Sequence, residues 1–410
     1  MRASCLFPNL TVLEWNPPPY PPRIPIIFIH RFLRPTLVSI KASLFESDGS
    51  TLLSFLENYT LLCRNLKSVR LFFSDVPVRS TTIIEALSRG ICHQKTLENV
   101  AMGNAPIDGT ALRHLAMLPT LKRLRARLSE TLEPQTCSFL PTDTLFRNVE
   151  KLVFKTLDID LVTGLLRPRD QIFHSFNLHC YNRMTSAAVL TFLNVLASRP
   201  PTKPLKDLTL RIGKMSRPLQ LNQMEIEGPR YHLSYETLQP LTVFGSLRQL
   251  LIDWSEQISL DDHEVAHLAR SWPMLESIEF YCGRGGYPPF STKYPTLRGL
   301  LSLATSCPDL RTVALSLDAT QVPEIGDAEP CKTSLNNIVM LESPIDKVLP
   351  VAQFLFKYLP GVTTLSRTFS RPPGTSGAQV LRYELIWKQV EAYLMEFHGI
   401  LVEPENVDDD

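Results

Sequence analysis

The string in this chain whose spacing comes nearest to a catalytic motif is His263-Glu264-Val265-Ala266-His267. On a helix, H-E-x-x-H puts two imidazoles one turn apart on a common face to hold Zn2+, with the glutamate placed to activate a metal-bound water. That would be zinc hydrolase chemistry. Three features oppose it. Val265, Leu268, Ala269 and Trp272 form the apolar stripe of a predicted helix over 259–272, and at 100° per residue the two histidines point to the opposite, wet side. Arg270 and Pro273 stand where a metzincin continuation needs Gly and a third His. Glu276 and Glu279 lie beyond the helix, in the next predicted strand, so no third ligand is evident. No P-loop and no G-x-S-x-G occurs, and Gly283-Arg284-Gly285-Gly286 lacks G-x-G-x-x-G spacing and reads as a loop. Cys92-His93 and His179-Cys180 are isolated pairs, and none of the eight cysteines has a C-x-x-C partner. The expectation is a noncatalytic chain with no metal and no cofactor. Its thiols should be reduced and mostly buried, as in the cytosol or nucleus.

A second set of residues could do binding chemistry. Arg123, Arg125 and Arg127 alternate with Leu124, Ala126 and Leu128, and Lys151 and Lys155 follow in a similar run. Guanidinium forks and ammonium groups on one face would hold carboxylate or phosphate by charge-assisted bonds. Whether they share a face depends on the elements that carry them.

Those elements follow from an internal repeat. A leading apolar residue, two polar residues and a second apolar residue recur with leaders at 10, 37, 66, 97, 121, 149, 205, 247, 275, 310, 335 and 362. A degenerate copy, Phe173-His174-Ser175-Phe176, divides the longest step, and the 42-residue step holds a polar insertion over 214–230. The period of roughly 28 residues predicts about thirteen stacked units. Between the phrases the apolar spacing turns helical over 51–63, 185–197, 259–272, 296–306 and 346–359. Leu118-Pro119, Trp272-Pro273, Cys307-Pro308 and Leu359-Pro360 mark where helices should stop, because proline cannot continue a helix and pushes its predecessor toward extended geometry. That use explains 33 Pro against 17 Gly.

The L-x-x-L-x-L phrase followed by a helix resembles the leucine-rich repeat. The wording of SWPMLESI at 271–278, SCPDLRTV at 306–313 and MLPTLKRL at 117–124 is similar to the irregular repeats of fungal F-box proteins. The resemblance spans about 6–367. It implies an α/β solenoid of horseshoe form, with short parallel strands on the concave face and helices on the convex face. It further implies a protein-interaction scaffold of the kind that recognises substrates for a cullin-RING ubiquitin ligase. No F-box opening precedes the first unit, and Leu140-Pro141-Thr142-Asp143 is only a faint echo of one; a Skp-type adaptor is expected as partner only with an F-box upstream. A repeat scaffold without a ligase link is the alternative. The Asn or Cys usual nine residues into a unit is also absent, Ser74, Ala105, Ser129, Gly213, Ser255, Gly283 and Asp318 standing there.

In each unit, positions one, four and six should face the core and positions three, five and seven the concave surface. The exposed residues are then Ser68, Arg70 and Phe72; Arg123, Arg125 and Arg127; Lys151, Val153 and Lys155; Asn177 and His179; Asp207, Thr209 and Arg211; Asp253 and nearby Trp254; and Glu279 and Tyr281. Arg70, Arg123, Arg125, Arg127, Lys151, Lys155 and Arg211 are the candidate partner-binding strip, fitted to an acidic or phosphorylated protein segment. The competing expectation is a solvated strand edge, since charge runs commonly serve solubility. Residues 1–200 hold 23 Lys+Arg and 15 Asp+Glu, and the remainder 19 and 26, so a net charge of +1 conceals a basic half and an acidic half. That overall balance argues against nucleic acid or a membrane surface as partner.

The domain expectation is repeats over 1–370, a loop and capping helix over 371–400, and an acidic, disordered tail over 401–410. The cap should use Leu385, Ile386, Tyr393, Leu394 and Phe397. The N-terminal residues do not read as a signal peptide, and 1–9 supply little to cap that end. Pro17 to Pro22 suits either a polyproline ligand or a stiff loop.

Overall fold

The computed structural model describes residues 7–16, 26–44, 49–73, 80–132, 145–167, 173–198, 204–213, 231–282, 293–324, 326, 329–341, 343–367 and 378–399. The Pro17–Pro22 run, the Leu140–Asp143 string, the 214–230 insertion, the Gly283–Gly286 loop and the acidic tail lie outside them. The chain divides into two compact units, Met1–Asn182 with Ser198–Lys203, and Arg183–Ala197 with Pro204–Asp410.

Among the described residues, the first unit contains strands β1 (Val12–Trp15), β2 (Ser39–Leu44), β3 (Ser68–Phe73), β4 (Asn99–Ile107), β5 (Arg123–Leu128), β6 (Lys151–Thr156) and β7 (Ser175–Cys180). All pair in parallel with their sequence neighbours. Its helices are α1 (Gly49–Leu62), α2 (Thr81–Cys92), α3 (Gly109–Met117) and α4 (Ile159–Leu166), with a 3-10 helix at Ile26–Phe32. The second unit contains α5 (Ser186–Ala197), β8 (Asp207–Ile212), α6 (Tyr235–Leu238), β9 (Gln249–Trp254), α7 (Asp262–Ser271), β10 (Ser277–Tyr281), α8 (Leu297–Ser306), β11 (Thr312–Leu315), β12 (Asn337–Met340), α9 (Val348–Tyr358), β13 (Thr364–Arg367) and α10 (Ala378–Phe397). Its strands too are parallel and in sequence order. Both units are α/β solenoids of the leucine-rich-repeat class.

The repeat phrase accounts for this arrangement residue by residue. Every strand begins two residues after a leader, including β7 after the degenerate Phe173. Leaders Leu37, Leu66, Leu97, Leu121, Val149, Leu247, Leu275, Leu310 and Leu335 are buried, as are position-four residues such as Val69, Leu124, Leu250 and Ile278. Burying one such side chain contributes about 1.5–3 kcal/mol, and a unit alone has no second layer to bury it against. Stacking supplies that layer. A backbone pair recurs at the strand entries, beside scattered side-chain bonds such as Thr96 and Thr120 Oγ1 donating to Leu66 O and Leu97 O: the carbonyl at position two accepts from positions two and three of the following unit. Glu98 O takes Lys122 N at 2.8 Å and Arg123 N at 3.0 Å, and Arg248 O takes Glu276 N and Ser277 N at 2.8 and 3.0 Å. These bonds satisfy the strand entries without a side-chain asparagine ladder.

Helices stop where proline requires it. Leu118, Trp272, Cys307 and Leu359 are the C-caps of α3, α7, α8 and α9, with ψ of 117°, 61°, 83° and 59°, out of the helical well.

The C-terminal helix differs from expectation in detail. In α10 the buried residues are Trp387, Val390 and Leu394, whereas Leu385 and Tyr393 are exposed. The stripe at i, i+3 and i+7 is rotated toward tryptophan, because a buried indole N–H needs an acceptor and Trp387 Nε1 donates to Ser343 O at 2.9 Å. Glu391 Oε1 accepts Leu365 N of β13 at 3.1 Å, fastening α10 to the last strand. At the other end Phe7, itself exposed, stacks on Phe32 with centroids 5.9 Å apart, and Trp15 meets the same ring at 6.2 Å.

Candidate partner-binding surface

The basic alternation of β5 is positioned by its own period. Leu124, Ala126 and Leu128 enter the core, which turns Arg123, Arg125 and Arg127 to the sheet face away from the helices. On β6, Leu152, Phe154 and Thr156 are buried and Lys151, Val153 and Lys155 face the other way. Parallel register sets Arg123 beside Lys151, Arg125 beside Val153 and Arg127 beside Lys155. Arg70 lies in the row of Arg125, with Ala101 between them. The first unit therefore brings together six of the seven candidate cations.

Arg211 belongs to the second unit, in the row Arg211, Asp253, Tyr281. Its surroundings are different. Glu279 accepts from Ser277 Oγ and Tyr281 Oη, both at 3.0 Å, and burial followed by the Glu279 charge pushes the Tyr281 phenol up to about 12. One expectation needs correcting here. Trp254 is buried, not exposed, because it stands at an even position of the strand, and its Nε1 donates to Tyr231 O at 2.8 Å. Asp253 faces the odd side but is also buried.

The basic face has an inner and an outer part. Arg70, Arg123, Arg125 and Lys151 are exposed, and among the described residues no carboxylate lies within 4.0 Å of them. Arg127 is held: its side chain is 17% exposed, its Nη2 donates to Glu130 Oε1 at 3.2 Å, and its guanidinium lies 5.7 Å from the Tyr181 ring centroid. Lys155 is half-buried and donates to Asn104 Oδ1 at 2.9 Å. Burial first, and then the charges of Arg125 and Arg127, lower its pKa from the ordinary lysine value.

Asn104 and Tyr181 were not foreseen. Between Ala101 and Pro106 the pairing of β4 with β5 shifts register, and this bulge carries Asn104 across β5 to Lys155. The signal was Gly103-Asn104 inside a strand pattern: a Cβ on Gly103 would come 3.1 Å from both Leu71 O and Phe72 Cα of β3. Tyr181 is fixed just past β7 by its backbone N–H, 2.9 Å from Thr156 O.

The H-E-x-x-H string has a structural account. His263 and His267 are exposed on α7. Glu264 closes a capping box with Asp261, its Oε2 accepting Asp261 N at 2.8 Å while Asp261 Oδ1 accepts Glu264 N at 2.9 Å. Lys293 lies 3.3 Å from Asp261 and 3.6 Å from Glu264, and His267 Nδ1 is 3.0 Å from Tyr235 Oη. Among the described residues no three His, Cys, Asp or Glu side chains group as metal ligands. Cys63, Cys180 and Cys307 are free and buried, and burial raises their thiols to about 11, 12 and 12. No helix of the described residues is long and apolar enough to cross a membrane.

No protein-family model and no curated protein matches the chain. Among solved structures it is similar to the crystal structure of the Rad7 and Elc1 complex in yeast, with a TM-score of 0.38 and 12% identity over 85% of this chain and 83% of that chain. A likeness that loose does not bear on function.

Proposed function

We propose that this chain is a noncatalytic protein-interaction scaffold whose basic face, Arg70, Arg123, Arg125, Arg127, Lys151 and Lys155, captures an acidic segment of a partner protein. The observation that carries the reading is the presentation of these cations on one sheet face, with Arg123, Arg125 and Lys151 free of described carboxylates within ion-pair distance. Repulsion among like charges in neighbouring strands costs stability, and an incoming anion relieves it. Arg211, in the carboxylate-bearing row of the second unit, is not assigned to the contact. The repeats over 1–370 act as the scaffold, with 371–400 as a cap and 401–410 as an acidic tail.

The repeat wording supports a more specific role, substrate recognition for a cullin-RING ligase in the cytosol or nucleus; a scaffold without that link is the alternative. Co-precipitation of the full-length protein with a Skp-type adaptor separates the two. For the basic face, the purified chain is used as bait against an extract of its source. The set of proteins it retains should be lost on changing Arg123, Arg125 and Arg127 together to Glu. Unchanged capture by a folded triple variant would sink the reading.

A further inference from the structure

We propose that the outward face of α10 is a dimerisation surface, and that its partner is α10 of a second copy of this chain, laid antiparallel across a two-fold axis at Gln389. The starting observation is an uncovered stripe. Trp387, Val390 and Leu394 fill the inner side of α10. At 100° per residue, Arg382, Leu385, Gln389, Ala392, Tyr393 and Glu396 fall on the opposite side, and all six are exposed. Leu385 and Tyr393 are large and apolar, yet they are 58% and 39% exposed. The positions 382, 385, 389, 392 and 396 alternate steps of three and four, the spacing by which one helix packs along another.

The order of side chains along the stripe identifies the occupant. Counting outward from Gln389, Leu385 and Tyr393 lie four residues to either side, and Arg382 and Glu396 lie seven, about 10 Å along the helix axis. An antiparallel copy therefore sets Leu385 against the second copy's Tyr393 and Arg382 against its Glu396, and the two-fold axis repeats both contacts. Among the described residues neither Arg382 nor Glu396 has an ion-pair partner, so each is open to the other. Gln389 meets its own counterpart at the axis, and a side-chain amide carries both the donor and the acceptor that an identical amide needs. Ala392 is small and lets the helices approach. A helix of another protein would need the same charge order in reverse; a second copy supplies it by symmetry. The surface is also formed in advance. Glu391 Oε1 accepts Leu365 N of β13 at 3.1 Å, and Phe397 and His398 meet Phe356 of α9 with ring centroids 5.3 and 5.1 Å apart, so α10 is held before the second copy arrives. One helix per copy covers less than the roughly 800 Å² per partner of a standard interface, so the dimer should be weak, with a Kd on the order of 10 μM.

The test is analytical ultracentrifugation of the full chain over a range of about 1–100 μM. A reversible monomer–dimer equilibrium that stops at two copies is expected. Arg382→Glu alone and Glu396→Arg alone each set like charges against one another at both ends of the seam, and each should weaken dimerisation about tenfold or more. An equimolar mixture of these two single variants should dimerise again, because the charges that meet across the axis are then opposite. The double variant Arg382→Glu with Glu396→Arg should recover for the same reason. Leu385→Asp should abolish the dimer, and its circular dichroism should match the parent chain's, since the side chain it replaces is exposed. A chain that stays monomeric over the whole range overturns the proposal. So does a dimer that both single variants leave intact, a pair of weakened single variants that mixing does not restore, or association that continues past two copies.

Discussion

The open sheet faces of the two units are built on the same core and do opposite things with it. In the first, β5 and β6 present Arg123, Arg125, Arg127, Lys151 and Lys155. In the second, the corresponding rows hold Asp207, Gln249 and Ser277, then Thr209, Leu251, Glu279, Ala314 and Val339. Ala314, Val339 and Leu341 pack with Tyr281 into a small apolar cluster. Beneath both faces the leaders and position-four residues are equally buried. The lesson is a division of labour: positions one, four and six satisfy the stack with apolar groups, while positions three, five and seven are released from that duty and diverge in charge.

The sharpest way to break this comparison is through the shared core. Leu121→Ala in the first unit and Leu275→Ala in the second should each cost about 2–5 kcal/mol in urea unfolding, because both side chains are fully buried and the stack cannot collapse around the gap. A much smaller loss in one unit would show that its core is not equivalent. Next in size is a polar tie of the second unit. Asp262 accepts Thr296 N, Thr296 Oγ1 and Gly299 N at 2.6, 2.7 and 2.9 Å, joining α7 to the start of α8, and Asp262→Ala should cost about 1–3 kcal/mol. Stability unchanged by that variant would refute the tie.

Charge reversal of Arg123 and Arg125, which have no described carboxylate within ion-pair distance, should barely alter unfolding, within about 0.5 kcal/mol per site, while weakening partner capture. A large stability loss would mean that these cations serve the first unit's fold. The smallest effect is none at all. Since burial holds Cys180 and Cys307 up to about 12, neither is a thiolate at pH 8, and an alkylating reagent should modify them only after urea is added. Labelling of one in the native chain would reveal local opening confined to that unit.

The strand starts were legible because each depends on a local phrase: β7 could be placed from Phe173 and Phe176 alone. Helix ends at Leu118, Trp272, Cys307 and Leu359 were legible because proline acts on its immediate neighbour. The face of α10 was not. Leu385 and Tyr393 are as apolar as the residues that bury, and the choice went to Trp387 because Ser343, far away in sequence, offers its carbonyl. Trp254 was misplaced by one position, and one position reverses the face of a strand.

By itself the sequence determined the period, the parallel α/β repeat class, the core positions and the alternation that turns Arg123, Arg125 and Arg127 outward, since all of these follow from spacing along one chain segment. Only the tertiary structure decided that Glu264 closes a helix cap, that Asn104 reaches Lys155 over an intervening strand, and that Tyr181 lies against Arg127. Two of those contacts join residues 51 and 54 positions apart and the third turns on which partner wins a carboxylate, and no local pattern encodes a meeting that exists only once the strands are stacked.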